Sequence, residues 1–325
     1  MIGTTSILSA LTSVLGRPIP WTDVVVLRNF GGLRLDVPAT TDAETRGFHA
    51  RILDGRGRCT HYVKCRSPLN GQARREASVL VALRSTPKAM GLVPNAHIVS
   101  FPGLSALVLD MVEGPSFARR VAGAPLASAI SEARACLAAR QRLMTAAVEV
   151  GVVDHPSAAF DPLKALEPSL RILEERGVAP AVLRSVRATV DVGMPADPQH
   201  GDFTPANIIW SQSGPTVRDF ECFGLAAHPL YDAWHFIRNS RVQRGDKQAW
   251  MGVVAPRDDI GAAWRSLLDE EAVRIRLSER QLRASLVWYL SHISAVIIAR
   301  RNSAEYYRPY LDDLAHAVEL VGLAP

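Results

Sequence analysis

Apolar and polar positions along the chain change their period once, near residue 113. Before that point the pattern is strand-like. Val24-Val25-Val26-Leu27 is a β-branched run, and beyond Gly31-Gly32 the apolar Leu33, Leu35 and Val37 alternate with other residues. Phe48 to Leu53 reads as a strand, Asp54-Gly55-Arg56-Gly57 supplies turn chemistry, and Cys59 to Cys65 reads as the return strand. A second hairpin is expected from His97 to Ser100 and Leu104 to Leu109. One helix interrupts these strands, over Gln72 to Ser85, with Val79, Leu80 and Leu83 on one stripe. Glu76 lies three, four and seven positions before them, which puts a carboxylate on that stripe or at its edge. Inward, it requires a cation; outward, it is an ordinary solvated glutamate.

After Glu113-Gly114-Pro115 helical periodicity takes over, in Ala127 to Val150, Pro162 to Arg176 and Pro180 to Val190. Leu282, Leu286, Leu290, Ile293 and Ile297 then recur at three- and four-residue steps, and Ala304 to Val321 is helical as well. The expected architecture is α+β: a small strand-rich lobe over 1–112, a connector near 110–115, and a larger helical lobe over 113–325. Ligand clefts favour such junctions.

Composition narrows the function. With 325 residues and 48% hydrophobic content the chain can bury a large core. Its net charge of +5 comes mostly from arginine, the lysines being only Lys64, Lys88, Lys164 and Lys247. No basic block of five or more occurs and aromatics are 6%, so a nucleic-acid partner is not expected. The four cysteines, Cys59, Cys65, Cys136 and Cys222, form no CxxC pair, which excludes a zinc ribbon and suits reduced thiols in a cytoplasmic protein. Met1 to Leu15 lacks the layout of a secretory signal. The longest apolar stretch, Trp288 to Ala299, is broken by Ser291, His292 and Ser294, so no membrane partner is expected.

The segment richest in chemistry is His200-Gly201-Asp202-Phe203-Thr204-Pro205-Ala206-Asn207-Ile208-Ile209-Trp210, followed by Val217-Arg218-Asp219-Phe220-Glu221. Ile208 to Trp210 is a short strand, Ser211 to Pro215 is turn material, and Thr216-Val217 begins the return. Such a hairpin brings Asn207, at its entry, near Asp219, at its exit. An amide oxygen and a carboxylate suit Mg²⁺, which keeps waters and recruits phosphate oxygens. Asp202, at the start of the same loop, can act as a base toward a hydroxyl without ligating the metal.

The pattern H-G-D-x-x-x-x-N followed by D-F-E resembles the catalytic loop and metal motif of the aminoglycoside phosphotransferase and choline kinase superfamily, and is similar to the corresponding motifs of protein kinases. The resemblance implies a two-lobed protein kinase-like fold, with a small antiparallel-sheet N-terminal lobe and a larger, mainly helical C-terminal lobe. It makes Asp202 the catalytic aspartate, Asn207 and Asp219 the metal-binding pair, and His200 a residue that shapes the loop. Gly201 after His200, and Glu221 ending the second motif, favour the small-molecule branch. Tyr62-Val63-Lys64-Cys65 resembles the family's lysine strand, with Glu76 as the carboxylate that orients Lys64 toward the nucleotide phosphates. Leu107 to Gly114 looks like the hinge, whose backbone at Asp110, Met111 and Val112 would meet the adenine edge. Asp232, in Pro229-Leu230-Tyr231-Asp232, would anchor the catalytic-loop backbone. No G-x-G-x-x-G precedes Lys64, a departure from the protein-kinase pattern.

The implied activity is Mg²⁺-dependent transfer of the γ-phosphoryl of ATP or GTP to a hydroxylated small molecule. A nucleotide-binding pseudokinase is disfavoured because Lys64, Asp202, Asn207 and Asp219 are all present. A protein serine/threonine kinase is disfavoured because only the eight residues Cys222 to Pro229 separate the metal motif from the next helix. Ala226 to Pro325 carries thirteen basic and twelve acidic residues, so no acidic pocket for a polycation is evident; an aminoglycoside, a macrolide, a sugar and an amino alcohol stay open as acceptors. Asp258-Asp259, Asp269-Glu270-Glu271 and Asp312-Asp313 are read mostly as solvated helix faces, and His228 and His235 as a helix-end and a surface histidine. Trp234, Trp250, Trp264 and Trp288 are read mostly as core.

Overall fold

The computed structural model describes residues 4–29, 46–67, 71–101, 104–153, 159–225, 227–245, 252–254, 256–300 and 303–322. The alternation at Leu33, Leu35 and Val37, the Gly31-Gly32 pair and Trp250 lie outside them. The chain separates into two compact units. The first comprises Met1–Pro115, Ala139–Val152 and Asn207–Phe223; the second comprises Ser116–Ala138, Val153–Ala206 and Gly224–Pro325.

The first unit is built on an antiparallel sheet of β1 (Val24–Asn29), β2 (Arg46–Leu53), β3 (Cys59–Ser67), β4 (Ala96–Phe101) and β5 (Leu104–Asp110), in the order β1-β2-β3-β5-β4. Side chains alternate between its faces. Phe48, Ala50, Ile52, Val63, Cys65, Ala106 and Val108 form one apolar face, which packs with Leu11 of α1 (Thr4–Leu15). The intervening His49, Arg51, Tyr62, Lys64 and Leu109 face a cavity. The β1–β2 register skips Leu27, a bulge that turns this residue toward the same cavity. In α2 (Gly71–Arg84) the predicted stripe is buried at Val79, Leu80 and Leu83, and Glu76 is buried with it.

The hairpin of β8 (Ile208–Ser211) and β9 (Gly214–Val217) belongs to this unit. Backbone bonds hold it from three sides: Val217 N to Leu92 O at 2.8 Å, Trp210 N to Pro115 O at 2.9 Å, and Arg218 N to Asn207 O at 2.9 Å. Its turn is shorter than the sequence suggests, because Gly214 and Pro215 already pair with Ser211 and Trp210. A two-stranded ribbon leaves one side of each strand without a sheet partner, which lets Pro215 sit there without a ladder amide.

The second unit holds α3 (Phe117–Gly123), the first part of α4 (Leu126–Glu149), the short pair β6 (Ala159–Phe160) and β7 (Met194–Pro195), α5 (Pro162–Glu175), α6 (Pro180–Val190), α7 (Tyr231–Gln243), α8 (Asp259–Arg274), α9 (Glu279–Arg300) and α10 (Ala304–Gly322). Asp161 caps α5 and Asp258 caps α8 through side-chain bonds to the amides of Lys164 and Gly261. α9 packs against α5, α6, α7 and α10. It is long and apolar enough to cross a membrane by composition, contrary to the sequence reading, but it is a largely buried helix of this unit. Its hydroxyls are satisfied locally: Ser285, Ser291 and Ser294 each donate to a carbonyl of the preceding turn. Trp234, Trp264 and Trp288 are buried, as expected.

Three surface readings change. His235 is buried because α7 is covered all round, and His228, just before α7, is buried against Phe160 and Trp288. Glu271 is also buried, with Arg274 as its ion-pair partner. Asp313 pairs with the buried Arg238 at 2.9 Å. These two carboxylates therefore act within the fold, although they fall in polar-looking helical stretches.

Candidate active site

Lys64 sits on the cavity face of β3, opposite His49 of β2 and Leu107 of β5. Its Nζ donates to both carboxylate oxygens of Glu76 at 3.0 Å and to Asp219 Oδ1 at 2.6 Å. Glu76 Oε1 also accepts the amide of Phe220 at 3.1 Å, so one buried carboxylate joins the lysine strand to the segment after β9. Burial penalises the charged amine, yet the adjacent charges of Glu76 and Asp219 outweigh it and hold the Lys64 pKa above the ordinary lysine value. Burial pushes the Glu76 carboxyl up, against the pull of Lys64. The helix-stripe position of Glu76 is thus the inward one, and the required cation is Lys64.

Asp219 has φ 69°, in the left-handed region that few non-glycine residues adopt. Aspartate tolerates that region better than most, and such strain gathers at functional sites. The bond from Arg218 N to Asn207 O closes the open end of the hairpin and brings Asn207 and Asp219 to the same end. Both line the cavity of about 470 Å³, together with Lys64, Asp110, Met111 and Val112. Such a volume falls in the ordinary range for small-ligand sites. Among the described residues no group of three or more His, Cys, Asp or Glu could hold a metal. An amide and one carboxylate beside a lysine fit an ion that takes few protein ligands and draws the rest from water and phosphate, as Mg²⁺ does.

The hinge is an extension of the sheet. Asp110 N donates to Asn95 O at 3.0 Å and Met111 N to Thr60 O at 2.8 Å, so both amides are engaged before Val112 is reached. The Asp110 carboxylate bonds Asn95 Nδ2 and lies 3.4 Å from His61 Nε2. Gly114 follows with φ 139°, and a Cβ there would stand 2.2 Å from Trp210 O. Glycine is required at that position on both counts.

The second unit carries His200, Gly201 and Asp202. Asp232, near the start of α7, accepts the amides of His200 at 2.6 Å and Gly201 at 2.9 Å, and its own amide donates to Gln199 Oε1 at 2.8 Å. Gly201 has φ 85°, which explains locally why glycine follows His200. His200 is fully buried and its Nδ1 accepts the amide of Asp202 at 3.4 Å. Phe203 packs on Phe236 with ring centres 5.3 Å apart, anchoring the loop to α7. The Asp202 side chain keeps 39% exposure, and its Oδ1 lies 3.5 Å from His235 Nε2.

Lys64, Glu76 and Asp219 are therefore in direct contact; Asn207, Asp110, Met111 and Val112 line the same cavity; and His200 and Asp202 are gathered around Asp232. Sequence reasoning misses the cavity-lining His49, Arg51 and Tyr62, whose signal is their alternation with buried residues in β2 and β3. It also misses His235, one helical turn after Asp232 and on the same side of α7.

Residues 39–275 match the model of the phosphotransferase enzyme family, APH. No curated protein matches the chain in sequence. Among solved structures, a thermostable mutant of aminoglycoside phosphotransferase APH(4)-Ia in a ternary complex with ADP and hygromycin B is 14% identical, with a TM-score of 0.56, covering 98% of this chain and 100% of that one. The GDP and kanamycin complex of APH(2")-IIia is 14% identical, with a TM-score of 0.53 and 98% of each chain covered. Macrolide 2'-phosphotransferase MphH from Brachybacterium faecium is 16% identical, with a TM-score of 0.51, covering 95% of this chain and 97% of that one. The chain thus shares the protein kinase-like fold of these enzymes.

Proposed function

Because this chain belongs to the phosphotransferase enzyme family, we propose that it transfers the γ-phosphoryl group of ATP or GTP to a hydroxyl of a small molecule. The contact of Lys64 with both Glu76 and Asp219 carries this reading, since it joins a buried orienting carboxylate to a phosphate-binding amine and a metal-binding carboxylate that line one cavity. Lys64, held by Glu76, positions the α- and β-phosphates. Asn207 and Asp219 hold Mg²⁺, which when bound offsets the charge on the phosphate oxygens. The hinge over Asp110, Met111 and Val112 meets the base, with the amides of Asp110 and Met111 held in the sheet and the donor to the base left to the backbone from Val112 onward. Asp202 orients the acceptor hydroxyl and takes its proton as the oxygen bonds to the γ-phosphorus and the bond to the β–γ bridging oxygen breaks, releasing the nucleoside diphosphate. Alignment and preorganised charge supply most of the rate.

The acceptor belongs to the hydroxylated small molecules, a class that includes the hygromycin B and kanamycin held by two of the similar structures. The balanced charge of residues 226–325, together with the engagement of Glu270 by Arg134, Glu271 by Arg274 and Asp313 by Arg238, gives no preference for a polycation. The test is a transfer screen with Mg²⁺ and γ-labelled ATP or GTP over aminoglycosides, macrolides, sugars and amino alcohols, with a generic protein substrate alongside. Label on a small hydroxyl compound is expected. Label on protein alone, or on no acceptor at all, contradicts the reading.

A further inference from the structure

We infer that His235, held by Tyr289, is a positioning residue that fixes the carboxylate of Asp202 for reaction; this deepens, and rests on, the role proposed for Asp202 above. In α7, Asp232 and His235 stand one turn apart and serve the same loop in different ways. Asp232 takes the backbone amides of His200 and Gly201. His235 presents Nε2 to Asp202 Oδ1 at 3.5 Å. That approach is longer than a good hydrogen bond, as catalytic contacts often are before substrate draws them together.

The other ring nitrogen defines what His235 offers. Its Nδ1 lies 3.0 Å from the hydroxyl of Tyr289 on α9. Tyr289 is fully buried, and burial holds its phenol protonated. An ionised carboxylate only accepts, so the approach of Asp202 favours the tautomer with its hydrogen on Nε2, and the protonated phenol, which can donate or accept, then donates to Nδ1. The ring has little freedom to leave this orientation. Tyr231 stacks on it with centroids 5.8 Å apart and planes 17° apart, and Tyr289 meets it edge-on at 5.9 Å. His235 keeps only 8% exposure, whereas the side chain of Asp202 is 39% exposed. One carboxylate oxygen is thus directed by a buried donor, on a side chain exposed enough for an acceptor hydroxyl to reach. Tyr289 fixes the tautomer, His235 the carboxylate, and Asp202 the hydroxyl.

The test combines a spectrum that needs no acceptor with kinetics that do. Long-range ¹H–¹⁵N spectra of the full chain labelled in histidine are expected to show His235 as the Nε2–H tautomer with Nδ1 unprotonated, and Tyr289→Phe is expected to mix the tautomers. A wild-type spectrum with the hydrogen on Nδ1 overturns the inference, whatever the chain phosphorylates. With an acceptor from the screen, His235→Leu is expected to lower kcat about thirtyfold at an unchanged nucleotide KM, less than the roughly 10²–10⁴ that a general base itself contributes, as suits a residue that only positions it. His235→Gln, whose amide can still donate, is expected to recover most of that loss, and it serves alone if the leucine variant does not fold. A kcat within twofold of wild type for His235→Leu, or a His235→Gln variant as impaired as the leucine one, overturns it as well. If no acceptor takes label while the tautomer is as stated, the kinase reading fails, and with it the catalytic meaning of the contact.

Discussion

The carboxylate of Asp232 accepts the backbone amides of both His200 and Gly201, at 2.6 and 2.9 Å, and is itself fully buried. The loop is shaped by this pair of bonds, because His200 and Gly201, the latter at φ 85°, belong to no helix or strand that would hold them. Hydrogen bonds to a charged group contribute about 1.5–3 kcal/mol each. Asp232→Ala is therefore expected to lower unfolding free energy by about 3 kcal/mol in urea. A change below about 0.5 kcal/mol, the level of a neutral surface substitution, would show that the loop does not depend on it.

Lys64 and Glu76 form a nearly buried pair, and breaking such a pair from one side leaves the other charge stranded. Lys64→Met is expected to destabilise the fold by about 3 kcal/mol. Glu76→Gln introduced into that variant is expected to return part of the loss by removing the orphaned charge. A double-mutant cycle by urea denaturation checks this, and strictly additive effects would contradict the coupling.

His228 and His292 stack on opposite neighbours in a buried column around Trp288, with centroid distances of 4.0 and 5.0 Å. Burial pushes His292 down to about 4 and pushes His228 well below its ordinary value. Both are neutral in the fold, while the unfolded chain protonates them near pH 6.5. The unfolded state then binds more protons below that pH, so stability is full above about 6.5 and falls as pH drops toward 4. His292 alone is expected to cost about 2 kcal/mol between pH 7.5 and pH 5. Urea unfolding at these pH values checks it, and a flat profile down to pH 5 would contradict the neutral assignment.

Gly114 combines φ 139° with an approach to Trp210 O that leaves no room for a methyl group. The obstructing atom is backbone and cannot swing aside. Gly114→Ala is expected to destabilise the chain by about 2–3 kcal/mol through strain and overpacking. Thermal unfolding checks this, and an unchanged midpoint would mean that the hinge accommodates the side chain.

Much of the fold is legible because period and turn chemistry agree. The strand pair around Asp54-Gly55-Arg56-Gly57 and the hairpin from Ile208 to Val217 follow from spacing alone, whereas spacing leaves Glu76 open between the stripe and its edge, and its contact with Lys64 settles it inward. The β3–β5 pairing that sets β4 at the sheet edge does not follow, since local pattern carries no information on strand order. α1 is missed because Ser and Thr dilute its apolar stripe, and its burial comes from the sheet it covers. His235 and Asp313 are misplaced for a related reason: a polar side chain within a helix reads as exposed until its partner, distant in sequence, is known, and His228 and Glu271 are likewise buried by neighbours that only the fold brings up. The positions proposed for metal and catalysis stand out as a motif. The contacts of Lys64 with Asp219, 155 residues apart, and of His235 with Tyr289 appear only when the chain is folded.

The decisive measurement compares wild type and Asp202→Ala in transfer of label from γ-labelled ATP or GTP to an accepted small hydroxyl compound, with nucleotide affinity measured in parallel. A base that takes the hydroxyl proton contributes about 10²–10⁴ in rate, so kcat is expected to fall by about a thousandfold while nucleotide Kd stays within a few fold. Turnover by Asp202→Ala at the wild-type rate would contradict the assignment of Asp202, and the phosphotransfer mechanism built on it.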